Sequence, residues 1–204
     1  MAHLEIGTPA GPAWADVDRP GGDAVGVFLV GHGAGGGIDH ADVRAACDGA
    51  LAAGYLAVRV TQPYRVAGRR MPPPAPRLDE AWLAVTAAVL DQVGALPAVH
   101  GGRSSGARVA CRTAAATGAV AVVTLAFPLH PPGRPDRTRL AELDMPTVPV
   151  LVVQGDRDAF GMPPPGPRRE IVVVPGDTHA LTRDPDAVAA AVRAFLEARA
   201  AGPR

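Results

Sequence analysis

The stretch Pro97-Ala-Val-His-Gly-Gly-Arg-Ser-Ser-Gly-Ala-Arg-Val-Ala-Cys111 decides how the chain folds. Its apolar start reads as a strand, Gly102-Arg103-Ser104-Ser105-Gly106 as a sharp turn, and the Ala/Arg-rich continuation as a helix. A serine at the centre of G-x-S-x-G, on a strand-to-helix bend, is held in a strained backbone with its hydroxyl exposed. Small residues two positions to either side make room for that bend. Ser104 is therefore the candidate nucleophile. Centring the motif on Ser105 would put Arg103 and Ala107 at the small-residue positions, where a side chain as large as Arg does not fit.

A serine hydroxyl needs a base, and the base needs an orienting partner. Downstream, Val150-Leu-Val-Val-Gln-Gly-Asp-Arg-Asp158 reads as a strand running into an acidic loop, and Ile171-Val-Val-Val-Pro-Gly-Asp-Thr-His179 as a strand running into a loop histidine. Asp158 is the candidate orienter, with Asp156 as a competitor that also suits a turn. His179 is the candidate base, and Asp177 reads as a solvated turn residue. Among the other histidines, His3 lies near the terminus, His40 opens a helix and His100 sits inside the strand before the serine. His130, in Phe127-Pro-Leu-His-Pro-Pro132, follows a strand and is a candidate for lining a substrate pocket.

Upstream, Val27-Phe-Leu-Val-Gly-His-Gly-Ala-Gly-Gly-Gly37 reads as a buried strand entering a Gly-rich loop. In an acyl-transfer enzyme such a loop supplies one oxyanion-binding N–H, here Ala34 or next Gly33, and the residue after the nucleophile, Ser105, supplies the other. The same loop contains Gly31-x-Gly33-x-x-Gly36, a dinucleotide fingerprint. That reading needs an acidic residue at the end of the following strand to hold the ribose, and Val58-Arg-Val-Thr61 offers none.

Working outward, short apolar runs alternate with Ala-rich segments of helical period, the pattern of a parallel sheet covered on both faces. The runs predict strands at Val25–Val30, Tyr55–Val60, Pro97–His100, Ala119–Leu125, Val148–Val153 and Glu170–Val174. Helices are predicted at Asp39–Ala53, Leu78–Val93, Ser104–Ala116 and Asp184–Ala200, the last with Asp184 as N-cap and Pro185 at its first position. His3–Val17 suggests one or two antiparallel edge strands, weakened by Pro9 and Pro12. Three Pro/Arg-rich loops, 61–77, 128–139 and 161–169, each follow a strand and so belong at the edge where α/β proteins bind ligands. The first brings Arg65, Arg69, Arg70 and Arg77 to that edge. Arg69 and Arg70 are candidates for holding a substrate carboxylate or phosphate; the alternative is that these arginines pair with Asp79 and Glu80 or solvate the loop.

The 204 residues are 48% hydrophobic, enough for one sizeable core, and a single domain over 1–204 is expected. With 20 basic and 20 acidic residues and 4% aromatics, the chain has neither the basic stripe nor the stacking platform of a nucleic-acid binder. Every basic residue is Arg. Without Lys there is no Schiff-base chemistry, Ser-Lys dyad or Walker P-loop. The N-terminus Met1-Ala-His-Leu-Glu-Ile shows no secretory signal, so a cytoplasmic location is expected. The longest apolar stretch, 114–129, contains Thr and Pro and falls short of the roughly 18 uninterrupted residues of a membrane span. Cys47 and Cys111 lie in predicted helices, far from other metal-ligand residues, and read as small buried hydrophobes.

Gly31-His-Gly-Ala-Gly-Gly36, Gly101-Gly-Arg-Ser-Ser-Gly-Ala-Arg108, Phe127-Pro-Leu-His-Pro-Pro-Gly133 and Gln154-Gly-Asp-Arg-Asp-Ala-Phe-Gly161 together resemble the α/β-hydrolase superfamily. Within it they are similar to the small, capless branch related to dienelactone hydrolases, which also holds NSL-complex subunit 3-like and testis-expressed 30-like proteins. The resemblance implies an eight-stranded, mostly parallel sheet with helices on both faces and no cap domain, whose sites follow the chain order Ser, Asp, His. It implies a serine hydrolase of small acyl substrates (esters, thioesters or amides) needing no metal or cofactor; from charge, aromatic content and the lack of a membrane-length apolar run, neither a nucleic-acid nor a membrane partner is expected. Dienelactone hydrolases carry a cysteine nucleophile where this chain has Ser104, so their substrate does not carry over. Because a eukaryotic member of the branch serves as a scaffold, a non-catalytic interaction module on the same fold is the competing expectation.

Overall fold

A computed structural model describes residues 2–94 and 96–200; the expected single domain over 1–204 includes positions outside these. Within the described residues, β1 (Ala2–Thr8), β2 (Gly11–Asp18), β3 (Gly26–Gly31), β4 (Tyr55–Thr61), β5 (Ala98–Arg103), β6 (Ala121–Leu125), β7 (Val150–Gly155) and β8 (Arg169–Val174) form an eight-stranded sheet. The order is β1-β2-β4-β3-β5-β6-β7-β8. From β4 to β8 all neighbours run parallel, whereas β1 pairs with β2, and β2 with β4, in antiparallel register. The six strands legible as apolar runs are β3 to β8. The two they leave out are an N-terminal hairpin that buries Ile6 of β1 and alternate residues of β2 (Ala13, Ala15 and Val17).

Helices α1 (Ala41–Ala52), α2 (Pro63–Val66), α3 (Ala75–Val93), α4 (Ser105–Thr117), α5 (Leu140–Leu143) and α6 (Pro185–Ala200) complete the fold. One layer packs α1 and α6 on Phe28, Val30, Val99, Val123, Leu125, Leu151 and Val153. The opposite layer sets α3 and α4 on Leu29, Val58, Val60, Val122 and Val152. Cys47 and Cys111 are buried in these layers, and burial pushes both thiols up. Asp184 caps α6 as expected, accepting the Ala187 N–H at 2.9 Å. The α1 and α6 helices approach so closely that a Cβ on Gly49 would lie 2.3 Å from the Ala189 carbonyl oxygen. Among the described residues the connection between β6 and β7 holds only the four-residue α5, so no cap covers the C-terminal edge of the parallel strands. The loop 161–169 is the exception to its expected placement. It begins at that edge, but Arg169 pairs with Val150 at the start of β7, so the loop descends to the far edge. No helix of the described residues is long and apolar enough to cross a membrane.

His100, buried inside β5, accepts a hydrogen bond at Nδ1 from the Trp82 indole N–H at 3.1 Å, while its Nε2 has no partner among the described residues. Burial pushes its pKa down to about 4, and burial also lowers that of His32. An unfolded histidine titrates near ~6.5. The neutral folded form therefore contributes its full stability above that pH, and the contribution is lost as pH falls from about 6.5 towards 4. The loss attributable to His100 is about 3 kcal/mol once both states are protonated. Melting temperature should be flat above pH 7 and fall steeply below 6, and His100→Gln, which can still accept from Trp82, should flatten part of that acid limb. Identical acid limbs in the two proteins would remove His100 as the cause.

Candidate active site

Ser104 stands between β5 and α4 with φ 52° and ψ −109°, a left-handed backbone that a non-glycine residue adopts only under constraint. The constraint is visible on both sides. A Cβ on Gly102 would lie 2.1 Å from the Gly106 carbonyl carbon, and one on Gly106 would lie 2.6 Å from the Gly31 carbonyl oxygen. The bend is further pinned by the Ser104 N–H, which donates to the Leu125 carbonyl at 2.9 Å.

The three residues expected to act together meet. His179 Nε2 lies 2.8 Å from Ser104 Oγ, and His179 Nδ1 lies 2.8 Å from Asp158 Oδ2. Asp158 follows β7 and His179 follows β8, so two parallel neighbours deliver them to one edge. A carboxylate on Nδ1 fixes that nitrogen as the proton-bearing one and leaves Nε2 free to accept the serine proton. Asp156, the competitor, instead accepts the Gly176 N–H at 2.7 Å and serves the turn.

The Gly-rich loop after β3 lies against the same bend, since a Cβ on Gly33 would be 3.5 Å from Ser104 Cβ. His32 is buried, and its Nε2 receives the Gln62 backbone N–H at 3.1 Å. A backbone N–H can only donate, so the His32 proton resides on Nδ1, which donates to the Gly33 carbonyl at 2.8 Å. In a trans peptide the N–H points opposite to the carbonyl, so this bond also aims the Ala34 N–H. Tyr64 fixes the next peptide by donating its hydroxyl to the Ala34 carbonyl at 2.8 Å. The Ser105 N–H, first in α4, has no acceptor within its own helix, and it adds the positive end of the helix dipole.

The alpha/beta hydrolase domain family matches residues 24–165, well over half of the chain. The chain belongs to the alpha/beta hydrolase family. Its fold is also that of several solved structures. Est1E from Butyrivibrio proteoclasticus superposes with a TM-score of 0.78 at 18% identity, covering 96% of this chain and 98% of that one. A serine hydrolase without lid from Xanthomonas campestris gives 0.75 at 22%, covering 97% and 94%. A serine hydrolase homologue from Coxiella burnetii gives 0.74 at 20%, covering 97% and 96%. At these identities the likeness is one of fold. No curated protein matches the sequence.

In this alpha/beta hydrolase several supporting residues escape the sequence reading. Gln154, fully buried at the end of β7, donates to Asp158 Oδ2 at 2.8 Å, while Oδ1 accepts the Phe160 N–H at 2.8 Å. The Phe160 ring lies 4.1 Å from the His179 ring, centroid to centroid. Gln154 did leave a signal, as the lone polar side chain in an otherwise apolar strand. Asp177 corrects the reading of a solvated turn residue: it is 1% exposed. Its carboxylate accepts the N–H groups of Thr178 at 2.8 Å and Arg183 at 3.0 Å, and so shapes the loop that presents His179.

The remaining expected contacts are peripheral to the serine. His130 packs against Gly161, where a Cβ would lie 2.4 Å from its Nε2, and so walls the acid loop. Arg77 pairs with Glu80 at 3.1 Å as the alternative reading has it, whereas Asp79 turns to Arg112 at 2.7 Å. Arg69 lines a cavity of about 290 Å³ with Gln62, Tyr64 and Leu78, and Arg70, the next residue in the chain, is exposed. Among the described residues neither Arg69 nor Arg70 has an acidic partner.

Proposed function

We propose that the protein is a serine hydrolase of the small, capless branch that its motifs resemble, cleaving esters, thioesters or amides of small acyl substrates. The observation that supports this most directly is the unbroken chain from Ser104 Oγ through the His179 ring to Asp158, 2.8 Å at each link. In the proposed reaction His179 Nε2 takes the Ser104 proton as Oγ bonds to the acyl carbon. The carbonyl electron pair moves to oxygen, which the N–H groups of Ala34 and Ser105 hold. Collapse of this intermediate expels the leaving group, which takes the proton from His179. Water then repeats the sequence on the acyl-serine, with Asp158 stabilising the imidazolium in both halves.

For the substrate we propose a preference for acyl groups ending in a carboxylate, held by Arg69 with Arg70 beside it. The cavity next to Tyr64, whose hydroxyl holds the Ala34 carbonyl, supports this, as does the lack of acidic partners for either arginine. The test is a panel of acyl esters of graded chain length, with and without a terminal carboxylate, at low and high salt. At low salt kcat/KM should favour the carboxylate by about ten-fold, the size of one charge-assisted contact. That preference should shrink at high salt and in Arg69→Ala. Equal rates, or a preference for long neutral esters, would remove the anion subsite. A panel with no substrate at all, and no difference from Ser104→Ala, would favour the interaction module.

A further inference from the structure

Arg103 occupies the variable position before Ser104 in G-x-S-x-G, and the reaction proposed above gives it no role. Its side chain is nevertheless only 12% exposed, unusual for an arginine at the end of a strand facing a cleft. Three contacts account for this. Nη2 donates to the backbone carbonyl of His179 at 3.0 Å. Nε lies 3.2 Å from Asp42 Oδ2. Nη1 crosses directly over Gly33, where a Cβ would sit 2.7 Å away, so that glycine leaves the path open.

Asp42, in the first turn of α1, is fully buried. Its other oxygen accepts the Val43 N–H at 2.8 Å and lies 2.7 Å from His40 Nδ1. Burial raises its pKa, and the Arg103 charge pulls it back towards the ionised form. A buried carboxylate and a nearly buried guanidinium thus hold each other in place.

We propose that Arg103 is a positioning residue that locks the backbone of His179 to the residue preceding the nucleophile, with Asp42 as its fixed anchor. The inference rests on the hydrolase reading of the site. The connection closes a ring: Ser104 Oγ to His179 Nε2 through side chains, His179 carbonyl to Arg103 Nη2, and Arg103 back to Ser104 through one peptide bond. His179 lies in a loop, and beyond Ser104 Oγ its ring is met by Asp158 and the Phe160 face. An arginine suits the task because its guanidinium keeps its charge beside the Asp42 carboxylate while Nη2 donates to the His179 carbonyl. A lysine ammonium could replace the charge beside Asp42 but would not also span to the His179 carbonyl.

The test compares Arg103→Lys and Arg103→Met with the wild type, on an ester the protein cleaves. The Lys variant should keep a melting temperature close to wild type because Asp42 retains a counter-charge. Even so, both variants should lose roughly ten- to a hundred-fold in kcat, the cost of a displacement of about 1 Å at a reacting group, with KM within about two-fold. In a His179→Ala background, Arg103→Lys should cause no further loss, since it acts through that ring. A readout independent of turnover accompanies these: in 15N-histidine-labelled protein, the His179 ring signals, identified by their absence in His179→Gln, should be single in wild type and broadened or multiplied in Arg103→Lys. Wild-type kcat together with unchanged ring signals in Arg103→Lys would overturn the proposal, as would an equal further loss in the His179→Ala background. If the wild type itself shows neither turnover nor labelling of Ser104, the hydrolase reading fails, and the ring signals still decide whether Arg103 positions His179.

Discussion

Ser104→Ala is expected to lower kcat/KM by about four to six powers of ten for any ester the protein cleaves, and to abolish covalent labelling by a fluorophosphonate probe. The argument rests on geometry. Ser104 is the serine at the positive-φ bend, with its hydroxyl 2.8 Å from His179 Nε2, whereas Ser105 begins α4 and supplies a backbone N–H. The variant retains the backbone donors of Ala34 and Ser105, so a residual rate over the uncatalysed reaction should remain. Peptide mapping of the labelled protein checks the assignment directly. Label that survives the substitution, or that maps to Ser105, would refute it.

The second large effect separates two histidines. His179→Ala should cost about three to six powers of ten in kcat and remove labelling, because neither the serine proton nor the leaving group then has a carrier. His130→Ala should leave kcat within a few-fold and move KM at most. Its Nδ1 is directed to the Pro131 carbonyl at 2.9 Å, and its ring packs on Gly161, away from the relay. Steady-state kinetics of both variants on one ester suffices, and comparable losses in kcat would require the roles to be redrawn.

The residues legible in the sequence were those whose chemistry depends on local order. Ser104 announces itself because the bend demands Gly102 and Gly106, and Asp158 and His179 because each ends an apolar run. The hairpin was only half legible, since β1 buries Ile6 alone and leaves little periodic signal. What stayed hidden depends on how the chain folds back, locally or from a distance, onto a side chain that no spacing rule marks. Asp177 looks like any loop carboxylate until residues 178 to 183 fold back onto it. Tyr64 and Arg103 reach partners 30 and 76 positions away, and no spacing rule marks either.

The close crossing at Gly49 has its own consequence. The helix that contains it begins at the carboxylate anchoring Arg103, and the helix it touches, at Ala189, follows directly from the loop bearing His179. Any side chain added at position 49 must drive these two bodies apart, and the shift is carried to the start of both, where the Asp42 anchor and the loop bearing His179 lie. A saturation-mutagenesis map scored by activity would therefore mark this interior glycine as though it were part of the cleft, and thermolabile alleles should accumulate there without a single contact to substrate being changed.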